Sequence, residues 1–267
     1  MDPNPVYYIN KPIGMTPLQM THQLKEKYPK IRKCSYYGKL DPLAHGLSQV
    51  LVNEECKKQE KYENLQKTYQ TQVLFGITTD TNDPMGLVTD ITYNVELEMG
   101  KIREVCKEFE GDSVQPFHKY SSIMVRKGYD YQPLWWWSKN NRLDEIEIPT
   151  KHIHIDSIKI LSQEIIDIKS QEIIPEFIKK VKMVSEDAGD FRQDKICKCW
   201  HELNDASTTY NWKMIELECR VSTGTYIRQL VNDISARLGT VGIAYDIYRT
   251  SIGSKQITDT DIVIENF

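Results

Sequence analysis

Asp41 stands in the stretch YYGKLDPLAHG, residues 36–46, between a leucine and a proline, with Gly38 and Gly46 bracketing the turn. An Asp-Pro pair opens turns, because proline fixes its own φ and drives the residue before it toward extended geometry. Taken alone the stretch is a tight turn that also offers one carboxylate in a confined position. Tyr69 in KTY, which opens a strand, and Arg228 in GTYIR, which opens a helix, are further side chains with chemistry to offer, and spacing alone places neither beside Asp41. An arginine beside a carboxylate favours the ionised form and fixes its orientation, best through a bidentate contact. Arg228 would sit in the first turn of a helix, where a cation opposes the helix dipole, so an anion is expected near it. Other groupings are poorer. Cys197, Cys199 and His201 in CKCWH lack a second pair of ligands, since Cys219 falls in a strand, and His152 and His154 read as the solvated face of a strand, so no metal site is expected.

The elements that must hold these groups follow from periodicity. After an extended VYYIN, a turn at Pro12 and Gly14 leads to a helix with Thr16 as N-cap and Pro17 at its first position, a strand–turn–helix unit over 6–28. The YYGKLDPLAHG loop leads into a short strand, LSQVLVN, and then into EECKKQEKYENLQ, which reads as a solvated helix. KTYQTQVLFGITTD alternates as a half-buried strand, with Tyr69, Thr71, Val73 and Phe75 on one face, and TDTNDPMG follows as a polar turn. Ile102, Val105, Cys106 and Phe109 recur at helical spacing up to Gly111. A loop-rich region over 112–150 contains QPFHKYSS and three consecutive tryptophans, Trp135, Trp136 and Trp137. Three consecutive rings cannot share one face of a helix or strand, so anchoring a loop is their expected task, rather than a common stacking platform for bases.

KHIHIDSIKIL is a strand with Ile153, Ile155 and Ile158 inward. Residues 162–213 form a polar stretch with one amphipathic helix, IIPEFIKKVKMVSE, and read as a surface insertion between two strands. MIELECRV alternates through Ile215, Leu217, Cys219 and Val221, and the helix after GTYIR turns Ile227, Leu230, Val231, Ile234 and Leu238 inward before Gly239. Two short strand-like pieces close the chain. The pattern predicts one α+β domain over 1–267.

Composition sets limits on function. Across 267 residues, hydrophobic side chains make up 40% and charged ones 27%, an ordinary globular balance, and no apolar run is long enough to span a bilayer. The net charge of −4 means that a nucleic-acid partner must be met by a local basic surface. The six cysteines lack framework spacing and read as reduced thiols. With no secretory or transit pattern at the start, a cytoplasmic location is expected, a nuclear or mitochondrial one staying open.

Three elements in this order resemble the TruB family of tRNA pseudouridine synthases: a G-x-L-D-P-x-A-x-G loop (Gly38, Leu40, Asp41, Pro42, Ala44, Gly46), a K-x-Y strand (Lys67, Tyr69) and a G-T-Y-I-R turn (Gly224, Thr225, Tyr226, Ile227, Arg228). NKPIGMT, TDTNDPMG, YSS near 120 and IYRT at 247–250 match further family motifs, and the resemblance covers nearly the whole chain apart from 162–213. It implies a mixed, mainly antiparallel sheet flanked by helices and long loops. It also implies an isomerase without a cofactor that turns uridine into pseudouridine in the T-loop of tRNA, at uridine 55, gripping T-loop and stem; protein partners are left open. Asp41 is then the catalytic carboxylate, Arg228 its partner, and Tyr69 the flat face and phenol beneath the base. Tyr226 orients the pocket, Ile247 forms an apolar wall, and Tyr36 and Tyr37 stand where the family commonly has a histidine that fills the place of a flipped base. Gly38 and Lys39 complete the expected substrate contacts, and Lys11 is read as holding the first turn against the catalytic loop. Lys39, His45 and Thr223 depart from the family pattern, Thr223 replacing a lysine, and no C-terminal RNA-binding appendage is expected after IVIENF. The substitutions at Tyr36, Tyr37, Lys39 and Thr223 sustain an alternative on the same scaffold, a tRNA-binding or RNA-chaperone module with weak catalysis.

Overall fold

The computed structural model describes residues 4–263; the tail 264–267, with the end of the expected closing strand, lies outside the described residues. The chain opens with β1 (Val6–Lys11), α1 (Pro17–Lys27), β2 (Cys34–Tyr37) and β3 (His45–Val52). Thr16 caps α1, its hydroxyl accepting from Gln19 N while the Gln19 side chain returns to the Thr16 N–H, and Pro17 stands at the first helical position. The charge-rich segment after β3 is a 3₁₀ turn, Asn53–Lys58, followed by the single turn α2 (Glu60–Glu63), rather than one helix. Only Cys56 is buried in it, too little to fix a longer helix on the body.

β4 (Lys67–Phe75), the small hairpin β5 (Ile77–Thr79) and β6 (Val88–Ile91), and α3 (Met99–Glu108) come next. The region expected to be loops is largely regular. It holds β7 (Gly111–Pro116), a hairpin of β8 (Met124–Lys127) and β9 (Asp130–Pro133), and α4 (Leu134–Lys139), which carries the three tryptophans. Trp137 is the buried anchor of a small cluster with Val125 and Leu134; Trp136 is half-buried and Trp135 is 40% exposed, so the three rings divide as helix geometry requires. The chain continues with β10 (Thr150–Ile160), β11 (Ile166–Lys169), α5 (Ser170–Lys182), α6 (Gln193–Asp205), β12 (Asn211–Val221), α7 (Ile227–Arg237), β13 (Gly242–Ile252), β14 (Lys255–Gln256) and β15 (Ile262–Val263).

Eleven of the strands join in one sheet, ordered β15-β1-β3-β13-β4-β12-β10-β7, with β2, β11 and β14 paired at its sides. Only β1 with β15 and β3 with β13 run parallel, so the sheet is mixed and mainly antiparallel. Alternation along the central strands serves two cores. Val73, Phe75, Ile215, Leu217 and Cys219 face α3 and α7, whereas Leu74, Ile243, Trp212 and Met214 face α5 and α6. Residues 162–213 therefore contribute Ile173, Ile174, Phe177, Val181, Ile196 and Trp200 to a buried layer and are not surface decoration.

Candidate active site

Two segments far apart in sequence meet at the end of β13. Gly46 pairs with Arg249 where β3 meets β13, at φ +98°, and a Cβ there would lie 2.4 Å from the Arg249 carbonyl oxygen, so glycine is required for this approach. The approach sets the Asp41 turn beside β13. The Asp41 carbonyl accepts from Ala44 N at 3.1 Å, and the Pro42 carbonyl accepts from Gly14 N at 2.8 Å. Lys11, fully buried, donates to the carbonyls of Met15 (2.7 Å), Pro12 (2.9 Å) and Pro42 (3.3 Å), tying the first turn to the Asp41 loop. Burial pushes its amine down to about 7, Asp41 pulling the other way.

Arg249 supports the loop from below. It donates to the carbonyls of Leu47 (2.5 Å) and Gly38 (2.7 Å) and stands 3.4 Å from both Tyr69 Oη and Ser48 Oγ.

Arg228, at the second position of α7, is 4% exposed, and its Nε lies 2.8 Å from Asp41 Oδ2 and 3.8 Å from Asp83 Oδ2. The contact with Asp41 is a single-point ion pair whose N–H is out of line, not the bidentate fork expected, and Nη1 is separately engaged by the Thr81 carbonyl (2.7 Å) and His118 Nδ1 (3.2 Å). Burial works against the Arg228 charge, and Asp41 and Asp83 together outweigh it, so its pKa is raised. Burial pushes the Asp83 carboxyl up to about 6 against the pull of Arg228. The cation that opposes the helix dipole is thus matched by two carboxylates. Asp83 is fixed by Thr81 Oγ1 at 2.6 Å and Met85 N at 2.9 Å.

A cleft of about 650 Å³ opens above this pair, and a second hollow of about 340 Å³ shares Asp41, Tyr120, Phe191 and Arg228 with it. Tyr36, Gly38, Lys39, Tyr69, Tyr226 and Ile247 all line the larger cleft. Tyr37 does not; strand alternation turns it the other way, toward Glu63 and Cys56. Lys39 donates to Ser122 Oγ at 3.0 Å and lies 6.0 Å from the Tyr36 ring centroid. The far rim is formed by residues 188–193, anchored by Arg192, which grips Asp80 through two bonds (2.6 and 3.1 Å) and covers the Tyr120 ring at 4.7 Å.

Asp83, His118, Arg249 and Arg192 were not singled out from the sequence. TDTNDPMG and IYRT pointed to the first and third as motif positions; the other two carried no sequence signal. A cleft with a flat phenol, an aliphatic side wall and one carboxylate at an arginine suits a planar ring attached to a polar, charge-developing group. Among the described residues no three metal-ligating side chains converge.

Residues 25–173 match a family model described as TruB family pseudouridylate synthase (N terminal domain). The chain belongs to the TruB family. It is 26% identical to the tRNA pseudouridine synthase B of Aquifex aeolicus, over 97% of this chain and 71% of that relative. For the tRNA pseudouridine synthase B of Syntrophobacter fumaroxidans the identity is 24%, over 89% and 60%. Among solved structures, a Cbf5-Nop10-Gar1 complex superposes with a TM-score of 0.55 at 17% identity, covering 97% of this chain and 51% of that one. An H/ACA RNP bound to a substrate RNA containing 2′-deoxyuridine gives 0.54 at 17% identity, covering 97% of this chain and 50% of that one. These likenesses place the mixed sheet and its helices in the pseudouridine synthase fold, and the family makes the chain an isomerase.

Proposed function

We propose that this protein converts uridine to pseudouridine in the T-loop of tRNA, at uridine 55, with Asp41 as the catalytic carboxylate. The observation that carries the reading is the meeting of Asp41 and Arg228, brought from 187 positions apart to 2.8 Å at the wall of a nucleotide-sized cleft. The reaction breaks the N1–C1′ bond, turns the uracil, forms a C5–C1′ bond and releases the C5 proton, N1 gaining one; no electrons are gained or lost.

The Asp41 carboxylate stands beside C1′, either attacking it or stabilising the charge that develops there, and Arg228 holds its oxygen in place. Tyr69 lies under the ring with its phenol available to the proton leaving C5. Ile247 and Leu40 close the apolar side. Before chemistry the target leaves its stack, and Tyr36 is placed to stack in the vacancy.

Incubating the purified protein with unmodified tRNA and mapping pseudouridine tests the reading: one product in the T-loop is expected, and product confined to another arm overturns the assignment of position. Asp41→Asn should bind the RNA nearly as well as the parent and form no pseudouridine. Parental turnover by that variant would remove Asp41 from the mechanism. Tight binding without any product from the parent would establish the binding-module alternative instead.

A further inference from the structure

The cations around the catalytic loop differ in what they touch. Lys11 and Arg249 are spent on carbonyl and hydroxyl oxygens of the loop and of the strands and turn beside it, and Arg228 on two carboxylates. Lys67 and Lys151 are not used in this way. Lys67, the first residue of β4, is 3% exposed and passes beneath Gly38, its Cε 3.5 Å from where a Cβ on that glycine would stand. Among the described groups its ammonium has one hydrogen bond, to Thr223 Oγ1 at 2.9 Å, and no carboxylate within ion-pair distance. Lys151, on β10, brings its ammonium over Gly224, where a Cβ would lie 1.8 Å from Nζ; the glycine, at φ +84°, leaves the only room for it. Among the described residues that ammonium has no hydrogen-bond or ion-pair partner at all.

Two amines and a hydroxyl thus converge at the GTYIR turn, and Lys67 and Gly224 line the same cleft as Asp41. The Thr223 oxygen accepts from Lys67, so its own proton is left to donate. Burial, Arg249 and Lys151 all push the Lys67 amine down, to about 8, with no acid to offset them. A buried cation without an anion costs several kcal/mol, and a ligand that supplies the anion recovers it. Several donors without an acceptor match a group with several acceptor oxygens and a negative charge.

We propose that Lys67, Lys151 and Thr223 form a phosphate site at the rim of the catalytic cleft, filled by a phosphodiester of the RNA strand that carries the target uridine. The site rests on the tRNA reading above. Lys151, reaching in from β10, supplies the charge that Thr223 does not.

Binding of a fluorescent T-arm stem-loop RNA, titrated at several salt concentrations, tests it. Lys151→Gln should bind roughly three- to tenfold more weakly at about 0.1 M salt and lower the slope of log affinity against log salt by about 0.7–0.9, the share of one phosphate contact. Thr223→Val, which removes a donor and no charge, should weaken binding with the slope unaltered. Lys101→Gln, on the exposed face of α3, should keep the parental slope. Parental affinity and slope in both site variants, or an equal slope change in Lys101→Gln, would overturn the site.

Replacing chloride by inorganic phosphate at equal ionic strength should weaken RNA binding by the parent and not by Lys151→Gln, because phosphate and the strand's phosphodiester would compete for one site. Phosphate binding to the parent that Lys151→Gln abolishes and that leaves RNA affinity untouched would assign the site to free phosphate and overturn the strand contact. Pseudouridine formation by the parent is scored separately. A productive parent with an unresponsive Lys151→Gln refutes this site alone, whereas an unproductive parent refutes the reading beneath it.

Discussion

His118 is 1% exposed, and its Nδ1 faces two donors, Arg228 Nη1 at 3.2 Å and the Tyr120 N–H at 3.1 Å. The proton therefore sits on Nε2, which donates to Asn82 Oδ1 at 3.0 Å, and Asn82 in turn donates to Asn232 on α7 at 3.0 Å. A second proton would find no acceptor and would face a guanidinium. Burial, then Arg228 and Lys119, push the imidazole well below 6.5.

The linkage has a definite sign. Below 6.5 the unfolded chain takes up a proton that the native state refuses, so this group's contribution to stability is whole above 6.5 and falls by up to about 1.4 kcal/mol per pH unit below it. Asp83 acts oppositely, since its rise from 3.8 to about 6 makes the native state gain stability as pH falls through that window. Asp83 is common to parent and variant, so His118→Gln isolates the imidazole. Its loss of stability between about pH 7.5 and 5, from urea midpoints, should be smaller than the parent's by up to about 2 kcal/mol. Equal losses would show that His118 is not held neutral.

Asp41, Tyr69 and Arg228 were reached through the family motifs that contain them, not through their turn or strand signals, and the structure brings all three to one cleft. His118 and Asp83 could not be reached in this way, because their roles depend on Arg228 arriving from α7. Tyr37 beside Tyr36 could not both face the cleft once β2 was a strand.

The elements show where periodicity carries information and where it fails. β4, β10, β12 and α7 each place three or more apolar side chains on one face, and the sequence marks them clearly. α6 buries only Ile196 and Trp200 among polar neighbours, so its face disappears into the polar background of 162–213 and the segment resembles decoration. The same segment supplies the rim at 188–193. Asp80 and Arg192 are each less than a fifth exposed, and although burial opposes it, Arg192 with Tyr120 holds the Asp80 carboxyl below its usual range.

Arg192→Ala should cost roughly 1–3 kcal/mol, between the values of a surface pair and a fully buried one. Hydrogen exchange should quicken at the amides of residues 188–193 while the sheet amides keep their protection relative to global stability. Uniform acceleration across the molecule would mean that the pair supports the whole fold and not the rim.

At the scale of the molecule, one sheet serves two cores, and neighbouring residues of the same strands divide between them: Val73 and Leu74, Ile215 and Met214, Ala244 and Ile243. A shift of one residue in any of these strands would exchange the faces, so the helix layer of α5 and α6 and the layer of α7 that borders the cleft fix each other's register. Phe177 is the test of that coupling. It is fully buried on α5, with its ring 4.6 Å from Trp200 and 5.5 Å from Tyr245, on the side of the sheet opposite α7. Phe177→Ala should cost about 3–5 kcal/mol through lost burial and the cavity left behind. If the faces are coupled, hydrogen exchange of the α5 and α7 amides should rise together, and T-arm RNA binding should be lost at the same lowered urea concentration as the α5 signal. RNA binding that outlasts the loss of α5 protection would mean that the catalytic face folds without the layer behind it. The alternation of buried residues in β4, β12 and β13 would then share a strand without sharing a transition, which argues against a common register as the source of the site's geometry.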